Sequence, residues 1–594
     1  MAVRGNGQLL IKVKGQPLNK LLQAGAPVAI PGYTLEPLST AVQARPTFSA
    51  AVPADHWLLA KPTTVVPKPG AAAPGRGGVQ LDPTPWDTAH AAASSMGYAH
   101  YVEPDILHER AAPAGNQPVA GLNPDWPPPV SDADGIPPDW HLSSGFGAFE
   151  ALRPQTTGTG IRIAHLDTGY TPKHQSVPRN LNTALAYDFW DNKPGAVDPY
   201  EQFLGVLQPG HGTATLALLA GNTMTLSFGK CTFQGDIGGA PDAEVIPVRI
   251  SPTVVHLYTS TMAQGLLYAL APNVPGAPVT TPQRPCDVVS ISHGGLPTAA
   301  WADAVNELYQ AGVVVVAASG DNFSMGLFDL FSHYTVYPSA FNRVITALGA
   351  TYAKRPYIAD KPTVMQGCWG PDSVMEKAIA AYTPNVAWMK YDDLPSGFDM
   401  NGGGTSASTP QIAAACALWL QKYGPQLPMD WRRVEALRLA LFDGADDPQP
   451  NKSELGRGML NVAQSLDPNV AGPIIAKANA VAPQPGLTAS AEDSVSSPFW
   501  RVLMGIGPPQ SEQERMYETE VEHIVHSSTN AQLRAGAALI ASGSALSPAD
   551  QAKYRALLSA EPMSTALRQR IAQAPPLPAN LPKSATPARQ APPP

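Results

Sequence analysis

An α/β fold with a mostly parallel central sheet is what this chain predicts, and three observations point there. Short apolar runs recur between about residues 139 and 470: "IRIAHLD", "EVIPVRI", "DVVSIS", "GVVVVAAS" and "RVITALGA". Helical stretches such as "WADAVNELYQA" stand between them. The runs stay apolar instead of alternating with polar residues, as strands covered by helices on both faces do.

The elements follow in order. Residues 1–110 mix strand-like runs, "LLIKVKG" and "HWLLAK", with the helix-like "PWDTAHAAASSMG", which would stop at Gly97. "YAHYVEPD" follows as a strand, so a small α+β N-terminal domain is expected. Residues 111–138 are rich in Pro and Gly and read as a linker. The α/β region spans 139–470, and a second Pro-rich joint is expected over 471–510. Residues 511–572 read as three or four short helices. Ser511 with Glu514 forms a capping-box pattern, and Ser547, Pro548 and Asp550 mark another helix start. The tail, 573–594, is low in complexity and expected to be disordered.

Composition narrows the function. The chain has 594 residues, 44% hydrophobic and 14% charged, which is enough for a sizeable core and for about three or four domains. A net charge of −8 without a long basic run argues against a nucleic-acid partner. No run of 18 apolar residues predicts a membrane span. The N-terminus lacks the apolar core of a secretory signal, so a cytoplasmic location is expected, with export by another route left open. Cys231, Cys286, Cys368 and Cys416 are widely spaced and read as free thiols, not as a zinc site or a disulfide framework.

Three motifs carry chemistry. "IAHLDTGY" puts Asp167 at the C-terminal end of a buried strand, where an open parallel sheet presents functional side chains. "GHGTATLALLAG" puts His211 directly before a small-residue helical segment. "NGGGTSASTPQIAAACALWL" leads through three glycines into Ser406 and an Ala-rich helix. Glycine there lets backbone approach a ligand, and the helix N-terminus favours negative charge developing beside Ser406. Pro410 is expected in the first turns, where its missing N–H costs little. Each motif alone has a bland reading as a turn or a cap. Together they supply an orienting acid, a base and a nucleophile in the order Asp, His, Ser.

That order, with these motifs, resembles the subtilisin-like serine peptidases. The resemblance covers about 139–470 and extends to "GGAPDAEVIPVRI", "VVSISHGG", "VYPSAFNRVITALGAT" and "GRGMLNVAQSL". It implies a subtilisin-like three-layer fold and a serine endopeptidase acting on protein or peptide substrates. In that role Ser406 attacks the scissile carbonyl, His211 moves its proton, and Asp167 holds the histidine. Ser292, His293 and Gly294 would form one wall of the substrate groove; Ala318, Ser319 and Gly320 would form the other. His293 stands where the family has an apolar residue. No cofactor is required. The family often binds calcium, but no calcium-loop pattern appears here.

"PWDTAHAAASSMGYAHYVEPDI" resembles the end of the family's inhibitory pro-region, so an autoinhibited zymogen is expected, with an unrelated binding domain as the other reading. The C-terminal helices match nothing recognised and read as a module docking an unknown partner. Two alternatives stand beside the peptidase: a catalytically silent peptide-binding scaffold, and an acid-adapted enzyme like the sedolisins, against which the intact His211 motif speaks.

A second position departs from the family. "AASGDNFS" puts Asp321 where the family's Asn donates a hydrogen bond to the oxyanion, alongside the backbone N–H of Ser406. Losing such a donor costs about 2.7–4 kcal/mol, a figure that itself comes from a subtilisin. An ionised acid about 4 Å from the oxyanion would add roughly 4 kcal/mol of repulsion. Either Asp321 is protonated and donates its O–H, or a slip of one residue brings Asn322 into the site.

Overall fold

The computed structural model describes residues 4–15, 29–39, 55–63, 84–109, 121–277, 283–323, 333–359, 364–391, 395–480, 487–541 and 543–574. The first part of the expected linker, 111–120, and nearly all of the expected disordered tail, 575–594, lie outside the described residues.

The N-terminal segment holds β1 (Arg4–Val13), β2 (Tyr33–Pro37), β3 (His56–Pro62), α1 (Thr84–Ser95) and β4 (Tyr101–Glu109). The central region supplies β5 (Arg162–Asp167), β6 (Tyr187–Asp188), β7 (Lys193–Pro194), α2 (His211–Ala220), the hairpin β8 (Thr223–Phe228) and β9 (Cys231–Asp236), and β10 (Glu244–Arg249). It continues with β11 (His256–Tyr258), α3 (Thr259–Tyr268), β12 (Val288–Ile291), α4 (Ala299–Gln310), β13 (Val314–Ala318), β14 (Asp321–Phe323), β15 (Val344–Ala350) and β16 (Met365–Gly367). Then come β17 (Ala378–Tyr382), β18 (Val386–Met389), β19 (Phe398–Gly402), α5 (Thr405–Tyr423), α6 (Trp431–Asp443) and α7 (Pro468–Ala478).

The central sheet runs β17-β15-β13-β12-β5-β10-β6-β7. Every neighbouring pair is parallel except β6 with β7. Successive residues of the apolar runs serve opposite faces. Ala164 and Leu166 of β5, with Val289, Val315 and Ala317, pack towards α3 and α4. Ile163, Val288, Val314 and Val316 pack towards α5 and α6. This is the mostly parallel, three-layer α/β arrangement that the unbroken apolar runs predict. No described helix is long and apolar enough to cross a membrane.

A second sheet, β11-β4-β1-β3-β2, joins the N-terminal segment to the central region through one strand. Its inner residues, among them Leu9, Leu10, Ile11 and Trp57, share a core with Met262, Leu266 and Val305 of α3 and α4. The described part of the expected first linker, residues 121–138, is pinned to the central region. Asn123 N donates to Asn385 Oδ1 at 2.7 Å, and Leu122 and Ile136 are buried.

The stretch 471–510 differs from the joint expected there. It contains most of α7 and all of α8 (Pro498–Met504), and Asp493 between them accepts from the backbone N–H groups of Asn342 and Arg343. Pro468 and Pro498 open these helices, where a missing N–H is harmless, so a proline-rich composition imitates a linker. Four further helices follow: α9 (Glu512–Ser527), α10 (Ala531–Ala541), α11 (Pro548–Ser559) and α12 (Thr565–Ala572). Ser511 caps α9, as its pattern predicts, by accepting from Glu514 N, while Glu514 returns to Gln510 N.

Candidate active site

Asp167 ends β5 at the carboxyl edge of the sheet and is fully buried. Its Oδ1 accepts from Thr168 N and from His211 Nδ1, both at 2.7 Å. Its Oδ2 accepts from Thr215 Oγ1 at 2.9 Å. Burial alone would raise its pKa, but the facing His211, with His293 and His165 behind it, outweighs burial and holds the carboxyl well below the usual carboxylate range. Asp167 is therefore an anion that fixes the His211 ring with Nδ1 protonated.

His211 opens α2. Gly212 lets that helix sit directly on the D-T-G turn, because a Cβ there would lie 2.0 Å from Gly169 O. Asp198 Oδ2 holds the approach by accepting from Gly210 N at 2.8 Å. The His211 ring meets the His293 ring edge-on at 5.8 Å and the Trp388 ring at 5.6 Å. Its Nε2 is buried and has no hydrogen-bond partner among the described residues.

Ser406 lies in the first turn of α5 and is tied to the first groove wall. Its Oγ is 3.4 Å from Ser292 O, and its own carbonyl accepts from Ser292 Oγ at 3.1 Å. Pro410 explains the second bond. It is the sixth residue of α5, within the first two turns as the sequence predicts, and has no N–H for the carbonyl four residues back. That carbonyl is Ser406 O, which is left for Ser292. A chain of contacts thus runs from Asp167 through His211, His293 and Ser292 to Ser406.

Asp321 lies beside the same helix start. Its Oδ1 accepts from Thr405 N at 2.9 Å, and its Oδ2 is 3.4 Å from Thr405 Oγ1. Gly404, at φ +78°, makes room for it; a Cβ there would be 2.7 Å from Asp321 Oδ2. β14 pairs antiparallel with β16, so Asn322 is turned to the opposite face of that ribbon from Asp321.

The two proposed walls differ in what they can offer a peptide. In the second wall, Ser319 N donates to Ala347 O, Ser319 O accepts from Val336 N, and Gly320 O accepts from Cys368 N. Those main-chain groups are occupied within the protein and are not open to pairing with a bound peptide; Ala318 ends β13. In the first wall, His293 Nε2 is 2.7 Å from Ser251 Oγ, and burial pushes the imidazole pKa down to about 4. His293 is a neutral, buried, hydrogen-bonded side chain, and Gly294 follows it at the mouth.

That mouth is where β4 arrives. Leu107, His108 and Glu109 pair with Tyr258, Leu257 and His256 of β11. His108 fills the space over Gly295 and accepts from Leu296 N at 3.0 Å. Upstream on β4, Glu103 accepts from Ala299 N and Ala300 N at the start of α4, both at 3.0 Å. Asp105 accepts from Ser260 N at the start of α3 at 2.8 Å.

Sequence reasoning missed three residues of this site. Thr215 lies four residues after His211 on α2, hence on its face of the helix, and His165 lies two before Asp167 on β5, hence on its side of the strand. His165 Nε2 is 2.9 Å from Thr215 Oγ1. The Thr215 proton goes to the charged Asp167, the shortest of its options, so His165 donates to the threonine oxygen. Both spacings were visible signals. Trp388, on β18, had none.

With this geometry in place, comparison with known proteins is direct. The profile of the subtilase family matches residues 158–458, half of the chain, and the chain belongs to that family. Subtilisin NAT of Bacillus subtilis subsp. natto is 25% identical over 309 residues, covering 52% of this chain and 65% of that protein. Subtilisin DY of Bacillus licheniformis is 27% identical over 269 residues, covering 45% and 78%. Alkaline protease of Alkalihalobacillus alcalophilus is 27% identical over 267 residues, covering 45% and 55%. The chain thus spans 65% of the length of the first of these relatives.

Proposed function

We propose that this chain is a serine endopeptidase that cleaves peptide bonds through an acyl-enzyme and is held latent by its own N-terminal segment. The observation that carries the catalytic half is the Asp167–His211 pair at 2.7 Å, whose histidine keeps a buried Nε2 without a partner among the described residues, on a helix that packs against the one bearing Ser406. Ser406 Oγ attacks the carbonyl carbon and its proton passes to His211 Nε2, while the Asp167 anion stabilises the imidazolium. The tetrahedral oxyanion takes the Ser406 N–H. Asp321 is the second donor in this reading. It serves there only as the neutral acid, whose O–H donates to the oxyanion. His211 then protonates the leaving amine, and water releases the acyl group by the same steps reversed.

Latency rests on β4. Its last residues pair with β11 and crowd the loop after Gly294, which supports a reading in which the segment obstructs one end of the groove. Incubation with a serine-directed fluorophosphonate tests the catalytic half. Ser406 of the N-terminally truncated protein should be modified, and Ser406→Ala should not. An unlabelled Ser406 in that protein would favour the silent peptide-binding scaffold instead. Latency fails if full-length and truncated proteins cleave a peptide substrate equally fast.

A further inference from the structure

The C-terminal helices are folded onto the N-terminal segment. Tyr101 Oη of β4 donates to Thr519 Oγ1 of α9 at 2.9 Å, and Trp86 Nε1 of α1 donates to His523 Nδ1 at 3.3 Å. His90 Nε2 meets Glu520 Oε2 at 3.1 Å, and Thr565 N, opening α12, donates to Asp87 at 2.7 Å. His523 uses its other nitrogen to donate to Pro297 O of the central region at 2.7 Å. One histidine therefore ties all three parts of the chain. Trp86, His90, Tyr101, Thr519, Glu520 and His523 are all at least nine-tenths buried. The apolar contacts agree: Ile106 of β4 and Leu296 of the central region lie in one core with Trp500, Val521, Ile524 and Leu558 of the C-terminal helices. Met516 of α9 lies in the core of the N-terminal sheet.

We propose that residues 498–574 are a binding module whose ligand is the chain's own N-terminal segment, and that they keep that segment docked after the chain between them is cut. The interface has the features of a stable association: an apolar centre, buried polar pairs that satisfy each other, and charged pairs such as Lys14–Glu512 at the rim. Cutting the connection at 110–120 would leave a non-covalent complex, because the cut removes a tether and none of these contacts. Under the latent reading proposed above, on which this consequence rests, cleavage and release are then separate events. Activity waits for the second.

The experiment uses the full chain carrying Ser406→Ala, with a site-specific viral protease sequence inserted within 110–120. After cutting, gel filtration and mass spectrometry should find the N-terminal fragment co-eluting with the remainder. Trp86→Phe leaves the buried His523 Nδ1 unpaired and should speed fragment dissociation by about tenfold. Thr519→Val, nearly isosteric, removes the Tyr101 contact across the interface but leaves Tyr101 its bond to Glu103, and should speed dissociation by less. Circular dichroism before cutting checks that both variants fold. Prompt separation of the cut parent overturns the proposal, and so does dissociation at the parent's rate in both folded variants. The same cut made with Ser406 intact separates the two readings. A retained fragment with full peptidase activity sinks latency and leaves retention standing, whereas a fragment that leaves sinks retention whatever the activity.

Discussion

Asp321 and Asn322 are neighbours in sequence and opposites in the fold. The carboxylate of Asp321 is bonded to Thr405 N, while strand alternation turns Asn322 away. In Asp321→Asn the amide oxygen can keep the Thr405 N–H and the amide nitrogen replaces the acid O–H as a donor that needs no protonation. Activity near pH 8 should be kept or raised, and Asn322→Ala should change it little; collapse of activity in Asn322→Ala alone would reverse the assignment. Thr215 makes a second residue-scale case. Its hydroxyl stands between His165 and Asp167, and Thr215→Val leaves both without that partner. The expected loss is about 5- to 100-fold in kcat/KM, the range for buried polar groups left unsatisfied. Rescue by Thr215→Ser, which restores the hydroxyl, would separate this role from packing.

At the scale of elements, β4 touches the starts of two helices through acids placed two residues apart, and their burial makes docking sensitive to pH. Burial pushes Glu103 up to about 7 and Asp105 up to about 6, against the N–H and O–H donors that favour their charged forms. A freed Glu titrates near 4.3, so between there and about 7 the docked form holds a proton that the free form has lost. Rising pH therefore weakens docking across that window. His108 and His523 act in the opposite sense: burial lowers both, so docking weakens as pH falls below about 6.5. In Glu103→Gln the decline in fragment retention between about pH 6 and 7 should disappear; gel filtration of the cut chain across a pH series measures it. A decline that persists unchanged would mean that Glu103 is not its source. Elements of this kind were legible where the signal is local. The apolar runs marked the strands, and D-T-G, H-G-T and G-T-S-A-S marked the carboxyl edge and the two helix starts. The Ser292 bond to Ser406 was not legible, because it depends on a proline six residues into a helix meeting a serine just past the end of β12. Nor were α7 and α8, whose opening prolines look like a joint.

For the molecule as a whole, the described residues of the N-terminal segment share their core with the rest of the chain. Leu10 and Trp57 share theirs with Val289, Val315 and Met516, from the central sheet and from α9. Urea unfolding of the Ser406→Ala chain should then follow a single transition, with tryptophan fluorescence and far-UV circular dichroism coinciding. Two separated transitions would show that the segment folds independently. This dependence could not be read in sequence order, since the partners lie at opposite ends of the chain. The distance has a consequence in time. Tyr101 and Thr519 are 418 residues apart. At about 5–20 residues per second, a ribosome that has finished β4 needs roughly 20–80 s more to deliver α9. Until then the first strands lack α9, and at the start of the interval they lack β11 and the central-region helices as well. The nascent polypeptide therefore passes through a stage in which Ser406 has already been synthesised and α9 has not.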